Sequence, residues 1–89
     1  MSSGLSKVVD IGRKHVDDYV FEIIVSFQEG VDEVVIRGYG ENISKAVDVY
    51  NELHDRLGES IELVNVEIGS EKRGGRTRSY IAIRVRRKY

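Results

Sequence analysis

The residues best equipped for chemistry in this chain are cations, and they fall in groups. Residues 71–78 read EKRGGRTR, which places Lys72, Arg73, Arg76 and Arg78 around a glycine pair. Arg13 and Lys14 stand directly before the first helical pattern, and Arg37 and Lys45 flank a third stretch, Gly38-Tyr39-Gly40. Guanidinium forks and ammonium point charges suit phosphate oxygens, and a helix that starts beside them adds unpaired N–H groups. Eight of the fourteen basic residues and none of the fifteen acidic ones lie after Glu71, so residues 1–71 carry −9 and the rest +8. The net charge of −1 averages two unlike halves. Such polarity points to an anionic partner for the basic end, commonly nucleic acid. It equally fits a basic strand neutralised by acidic neighbours within the fold.

Other chemistries find little material. The chain has no Cys, and its two histidines, His15 and His54, are far apart, so a zinc cage, thiol catalysis and a disulfide framework are not expected. Asp17 beside Asp18, or His54 beside Asp55, offers an acid and base pair, but neither comes with a nucleophile or an orienting group. The expectation is a non-enzyme with no catalytic residues, no cofactor, no metal and no small-molecule substrate. A strand, then Gly38-Tyr39-Gly40, then a helix has the outline of a dinucleotide turn, yet its third glycine would fall at Ile43. What survives is a two-glycine turn at a helix start, read either as an anion site or as a tight turn.

The elements must bring these groups together. With 89 residues, 40% apolar and 33% charged, the sequence predicts one globular domain over 1–89. A chain of this size buries roughly 60–65% of its unfolded surface, so a symmetric dimer is expected. No apolar run approaches the ~20 residues of a membrane helix, and the opening MSSGLSK lacks a leader's apolar centre, so a cytosolic location is expected.

Lys7–Ile11 reads as a first strand with Val9 and Ile11 on its buried face. Val16, Tyr19, Val20, Ile23, Ile24 and Phe27 then keep helical spacing, with Asp17 and Asp18 in the first turn and Gly30 as the stop. Residues 31–38 are a β-branched second strand. A second helix follows with Ile43, Ala46, Val47, Tyr50, Leu53 and Leu57 on its stripe, Asn42 as N-cap and Gly58 as stop. Val49 falls beside that stripe. With Tyr50, Leu53 and Leu57 it widens the face enough to meet a partner helix across a dimer axis. Residues 61–68 form a third strand with apolar residues on both faces, and 79–86 a fourth in which Ile81, Ile83 and Val85 oppose Tyr80, Ala82, Arg84 and Arg86. Residues 69–78 between them predict an antiparallel hairpin with a long basic tip reaching roughly 15 Å at ~3.3 Å per residue.

The resulting order is β-α-β-α-β-β, an α+β two-layer sandwich with two helices on a four-stranded sheet. Both strand-to-helix turns can then open towards the same edge as the hairpin arm.

IGRKHVDDYV (11–20), VVIRGYGENISKAVDVYNEL (34–53), VEIGS (66–70) and RSYIAIRV (78–85) together resemble the Alba family of archaeal chromatin proteins. The likeness spans about residues 6–88, and its most specific parts are the Gly-Arg-Lys before helix one and G-x-x-I-S-K-A-V-D at helix two. The resemblance implies the same fold, a homodimer, and binding to double-stranded DNA or RNA with little sequence preference on the chromosome, or alternatively a role as an RNA-binding or RNA-processing subunit. It assigns nucleic-acid contacts to Arg13, Lys14, Arg37, the loop from Tyr39 to Glu41, and Lys72, Arg73, Arg76 and Arg78. Three departures stand out against the family pattern. Tyr39 and Glu41 replace arginines, His15 replaces a helix-opening proline, and Asp17 adds negative charge. The family's acetylated lysine is Arg13 here, which leaves Lys14 as the modifiable residue. These changes suggest either a weaker binder or the acidic partner of a more basic Alba in a heterodimer.

Overall fold

A computed structural model describes residues 4–89; Met1–Ser3, part of the opening stretch read above for a leader, lie outside the described residues. The chain forms β1 (Ser6–Asp10), α1 (Val16–Gln28), β2 (Glu33–Tyr39), α2 (Ile43–Leu57), β3 (Ile61–Arg73) and β4 (Arg76–Arg87), with 3-10 turns at Gly40–Asn42 and Gly58–Ser60. The sheet order is β1-β2-β4-β3, with β1 parallel to β2 and the other pairs antiparallel. Both helices cover one face of this mixed sheet, in the expected β-α-β-α-β-β order. Among the described residues no helix is long and apolar enough to cross a membrane.

Alternation decides which side of each strand is dry. Val9 of β1, Val34 and Ile36 of β2, and Ile81, Ile83 and Val85 of β4 point under the helices and are buried. Tyr19, Val20, Ile23 and Phe27 of α1 and Ala46, Val49 and Leu53 of α2 complete one core. The second helix therefore differs from its sequence-based reading. Its buried line runs through Ala46, Val49 and Leu53, spaced three and four residues apart, while Val47 turns outward. Val49 and Leu53 are fully enclosed by their own chain, so they have no surface for the dimer contact expected of them; Tyr50 and Leu57 remain half-buried. The periodicity permitted either assignment, and α1 and the sheet select this one.

Gly38 is buried where the end of β2 meets the first turn of α2. A Cβ there would run into the Asn42 carbonyl oxygen and meet the Ala46 Cβ at 3.0 Å, so its hydrogen permits close packing. Gly40, at the start of the 3-10 turn, adopts φ +56°, in the left-handed region that favours glycine. Asn42 stands at the start of α2 without a capping side-chain hydrogen bond. Gly58 ends α2 at φ +53° and Gly30 follows α1 at φ +107°, both as the sequence suggests.

The largest difference lies in the hairpin. Instead of a long tip, β3 and β4 stay paired to Arg73 and Arg76, and the turn is Gly74-Gly75 alone, at φ +57° and +80°. Two consecutive left-handed residues suit a two-residue type I′ turn, whose twist matches the strands. Beyond Tyr39, the last residue of β2, β3 and β4 continue as a two-stranded ribbon for four further pairs, about 13 Å at ~3.3 Å per residue.

Candidate nucleic-acid interface

Sheet register brings the three cationic groups to one end of the molecule. Asp10 at the end of β1 pairs with Arg37, Tyr39 pairs with Tyr80, and the arm continues from Tyr80 in the same direction. The loop into α1, the turn into α2 and the arm therefore all leave the sheet at the carboxyl ends of β1 and β2.

The loop before α1 is clamped from both sides. The Tyr19 hydroxyl accepts hydrogen bonds from the N–H groups of Gly12 at 2.7 Å and Lys14 at 3.3 Å. On the other side, the Lys45 ammonium donates to the carbonyl oxygens of Gly12 at 2.7 Å and Lys14 at 2.9 Å. Arg13 projects between these two held residues and is exposed. Lys45 was expected to touch phosphate directly; its bonds instead make it a brace within the fold. The helix start also uses its own groups. His15 at φ −73° has proline's backbone angle but retains an N–H, and Asp18 accepts it at 3.4 Å. Asp17 lies against Arg56 of α2 at 3.2 Å, which offsets the charge that would oppose a phosphate. Asp17 and Asp18 are thus engaged in structural bonds, and His54 lies 6.0 Å from the Tyr50 ring.

On the sheet face opposite the helices, most cations are already paired. Arg37 makes a two-pronged contact with Asp10, at 2.7 and 3.0 Å. That hydrogen bond raises the Arg37 pKa above its usual value, so the side chain stays charged. Arg84 meets Glu33 at 2.9 Å and Arg86 meets Glu62 at 2.7 Å, while on the helix side of the sheet Arg87 meets Asp32 at 3.1 Å and donates to the Phe27 carbonyl. Arg86 correspondingly holds the Glu62 carboxyl below its ordinary range, mainly through their hydrogen bond. Arg78, at the root of the arm, is 3.6 Å from Glu71 and lies 4.0 Å from the centre of the Tyr39 ring. Lys14 is 3.8 Å from Glu22 and 5.6 Å from the Tyr19 ring centre.

Subtracting these pairs sharpens the site. Among the described residues, Arg13 in the clamped loop and Lys72, Arg73 and Arg76 at the arm tip have no carboxylate within ion-pair distance; Lys88 at the far end of the sheet is the remaining arginine or lysine without an ion pair or hydrogen bond. The reading of the basic segment as an internal neutraliser therefore holds for part of its length only. Along the body of β4 it neutralises acids within the fold, and at the arm tip it faces solvent.

Sequence reasoning passed over Tyr80 and Glu67. Tyr80 lies across the strand pair on Gly69, where a Cβ would come within 2.7 Å of its hydroxyl, and that hydroxyl donates to Glu67 at 3.3 Å. The negative charge of Glu67, with burial, raises the Tyr80 pKa, so its hydroxyl keeps its proton at neutral pH. The signal available in sequence was the Tyr80–Ala82–Arg84 alternation, which places Tyr80 outward but does not reveal Tyr39 beside it.

The family model described as Alba matches residues 7–70. The chain belongs to the Alba family. It is 52% identical over 89 residues to "DNA/RNA-binding protein Alba 2" of Saccharolobus shibatae and 51% identical to the protein so named of Saccharolobus solfataricus, with all of each chain covered. "DNA/RNA-binding protein Alba" of Nanoarchaeum equitans is 38% identical over 65 residues, 72% of each chain. Among solved structures, Alba from Thermoplasma volcanium superimposes with TM-score 0.81 at 25% identity, covering 90% of this chain and 99% of that one. ALBA1 of Trypanosoma brucei gives TM-score 0.80 at 22% identity, over 90% and 68% respectively, a likeness of fold. Within the Alba match, residues 7–70, lie the clamped loop, the two-glycine turn and most of β3; Arg73, Arg76 and Arg78 lie beyond it.

Proposed function

We propose that this Alba chain is a dimeric protein that binds double-stranded DNA with little regard to sequence, in a chromosome-associated role in the cytosol. The observation that carries the reading is the segregation of unpaired cations: Arg13, Lys72, Arg73 and Arg76 gather at one end of a molecule that pairs its other arginines internally. The relatives' names, which specify DNA and RNA binding, support the general class. An arm of this length can follow a groove while Arg13 and the helix start contact the backbone. Affinity would then come from phosphate neutralisation. On duplex DNA, log K should fall linearly with log salt, with a slope of about −0.9 per phosphate contacted. A salt titration by gel shift over duplex DNA, duplex RNA and single-stranded RNA tests this. Loss of all binding at ~0.15 M salt would instead favour an interaction subunit whose acidic body docks a basic protein.

The dimer has its own support. Leu63, Val66 and Ile68 of β3 share the helix side of the sheet with Val85, Ile83 and Ile81, yet lie past the helices' cover at 45%, 49% and 77% exposure. Ile43 and Ile68 line one depression of about 390 Å³. An apolar edge beside Ile43 suits a second copy, which would also protect an edge strand from unwanted pairing. A more basic Alba chain is the alternative occupant, favoured by Glu41 and the −9 charge of residues 1–71. Native mass spectrometry of a mixture discriminates the two, and homodimers alone would set the heterodimer aside. Lys14 is the loop lysine open to acetylation, which would cancel one charge beside Arg13.

A further inference from the structure

The open face of the sheet carries a second feature that phosphate neutralisation does not use. At the root of the arm, Tyr39 and Tyr80 lie with ring centres 5.7 Å apart and planes tilted by 50°. Arg78 lies 4.0 Å and Arg37 5.6 Å from the Tyr39 ring centre. Tyr39, Tyr80, Arg37 and Arg84 border a shallow basin of about 330 Å³, whose floor is Val8, Val35 and Ala82 and whose β3 wall is Glu67 and Glu71. A phosphate is poorly served there: both carboxylates repel it, Arg37 is already held by Asp10, and Arg84 is already held by Glu33. A flat, uncharged, aromatic ligand with hydrogen-bond donors on one edge is well served.

We infer that this basin takes an unpaired guanine of a single-stranded nucleic acid, stacked against Tyr39 and Tyr80 with its donor edge turned to Glu67 and Glu71. Stacking on aromatic rings is open to every base, because every base has a π-face. The carboxylates make the selection. Guanine presents N1–H and the N2 amino group side by side, two donors that match the two oxygens of a carboxylate. Adenine and cytosine set one amino donor beside a ring acceptor, and uracil sets one N–H between two carbonyls, so each would face a carboxylate with an unmatched acceptor. A paired guanine has its donors engaged and its faces stacked, so a duplex cannot enter.

The arm supplies the backbone contact. Alternation along β4 puts Arg76, Arg78 and Tyr80 on one side of the ribbon, and Arg73 opposite Arg76 joins them. A strand whose base lies in the basin can therefore run its phosphates outward along Arg78, Arg73 and Arg76. Aromatic platform and cationic track on one face are the two parts that single-strand binding combines. The inference rests on the nucleic-acid reading above but uses a different face and a different form of the polymer.

The test measures fluorescence anisotropy of labelled oligouridylates carrying one central guanine, one central adenine or neither. The same series is made as DNA, with a duplex DNA as control, all with the full-length chain at one salt concentration. The guanine oligomer should bind more tightly than the adenine and plain ones. Tyr39→Leu should weaken it about tenfold and weaken the duplex clearly less. Glu67→Gln, a nearly isosteric change on the exposed side of β3, should erase the margin of guanine over adenine while the adenine oligomer binds as before. Equal binding of all three oligomers by the unmodified chain overturns the inference, and so does an equal loss of duplex and single-strand binding in Tyr39→Leu. A guanine preference without duplex binding would overturn the duplex reading and leave the basin standing. Duplex binding without a guanine preference would do the reverse. The RNA and DNA arms report which sugar the strand carries.

Discussion

At the scale of single residues, what matters about a cation is its neighbours. Arg76 and Arg78 are two positions apart on the same strand, yet Arg78 is held by Glu71 and the Tyr39 ring, while Arg76 has no carboxylate beside it. Arg76→Ala should therefore flatten the duplex-DNA salt slope by about one unit, and Arg78→Ala by clearly less. Equal slopes in the two variants would show that Arg78 leaves its partners when DNA binds. Gly38 illustrates the opposite kind of residue, one whose value is what it lacks. Gly38→Ala should cost about 1–3 kcal/mol in urea unfolding, because the obstacle is the Asn42 backbone oxygen, which cannot rotate away. Glu62 gives a pH signature. Its pKa is lowered in the folded chain, so its contribution is present above the unfolded carboxylate pKa and is lost as pH falls through the lower folded value. Melting temperature should thus drop more steeply on acidification below pH ~4 in the unmodified chain than in Glu62→Gln.

At the scale of elements, the loop before α1 acts as a presented unit. Tyr19 from α1 and Lys45 from α2 hold the two residues flanking Arg13, one through their N–H groups and the other through their carbonyls. Lys45→Met keeps the length of the stem and removes the donors. The expected outcome is faster amide exchange in residues 12–14 and weaker duplex binding, because the loop that presents Arg13 loosens. If Lys45 gripped DNA directly, binding would fall with no change in exchange. The arm is the complementary case, a two-stranded ribbon without a third strand or a helix to cover it beyond Tyr39. Such ribbons are marginal alone, which suits an element that must fit a partner's shape.

At the scale of the whole molecule, two surfaces remain unbalanced. One is the cationic end, and the other is the apolar edge formed by Leu63, Val66 and Ile68. In the proposed dimer, a charge on that edge should separate the subunits without unfolding them, since Ile68 is 77% exposed in the single chain. Ile68→Asp should shift the mass in light scattering from dimer to monomer and leave the circular dichroism spectrum intact. A mass unchanged by Ile68→Asp and by Val66→Asp would place the subunit contact elsewhere. Loss of the dimer should also weaken duplex binding, because two arms on one body raise the effective concentration of the second contact.

The fold was legible in the sequence because its signals are local and agree with one another. Period-two strands, two amphipathic helices and glycine stops at 30 and 58 leave little choice of element order, and the family motifs at 11–20 and 34–53 point the same way. The candidate site was legible as a set of cations, but not as a set of roles. Whether Arg78 is free, whether Lys45 is a brace, and whether Val49 faces a neighbour or its own core depend on residues distant in the chain. Tyr39 meets Tyr80 only because β2 pairs with β4, and Lys45 reaches Gly12 only because α2 starts beside the end of β1. Local pattern determined what the elements are; charge pairing and burial, which are properties of neighbours in space, decided what each residue does.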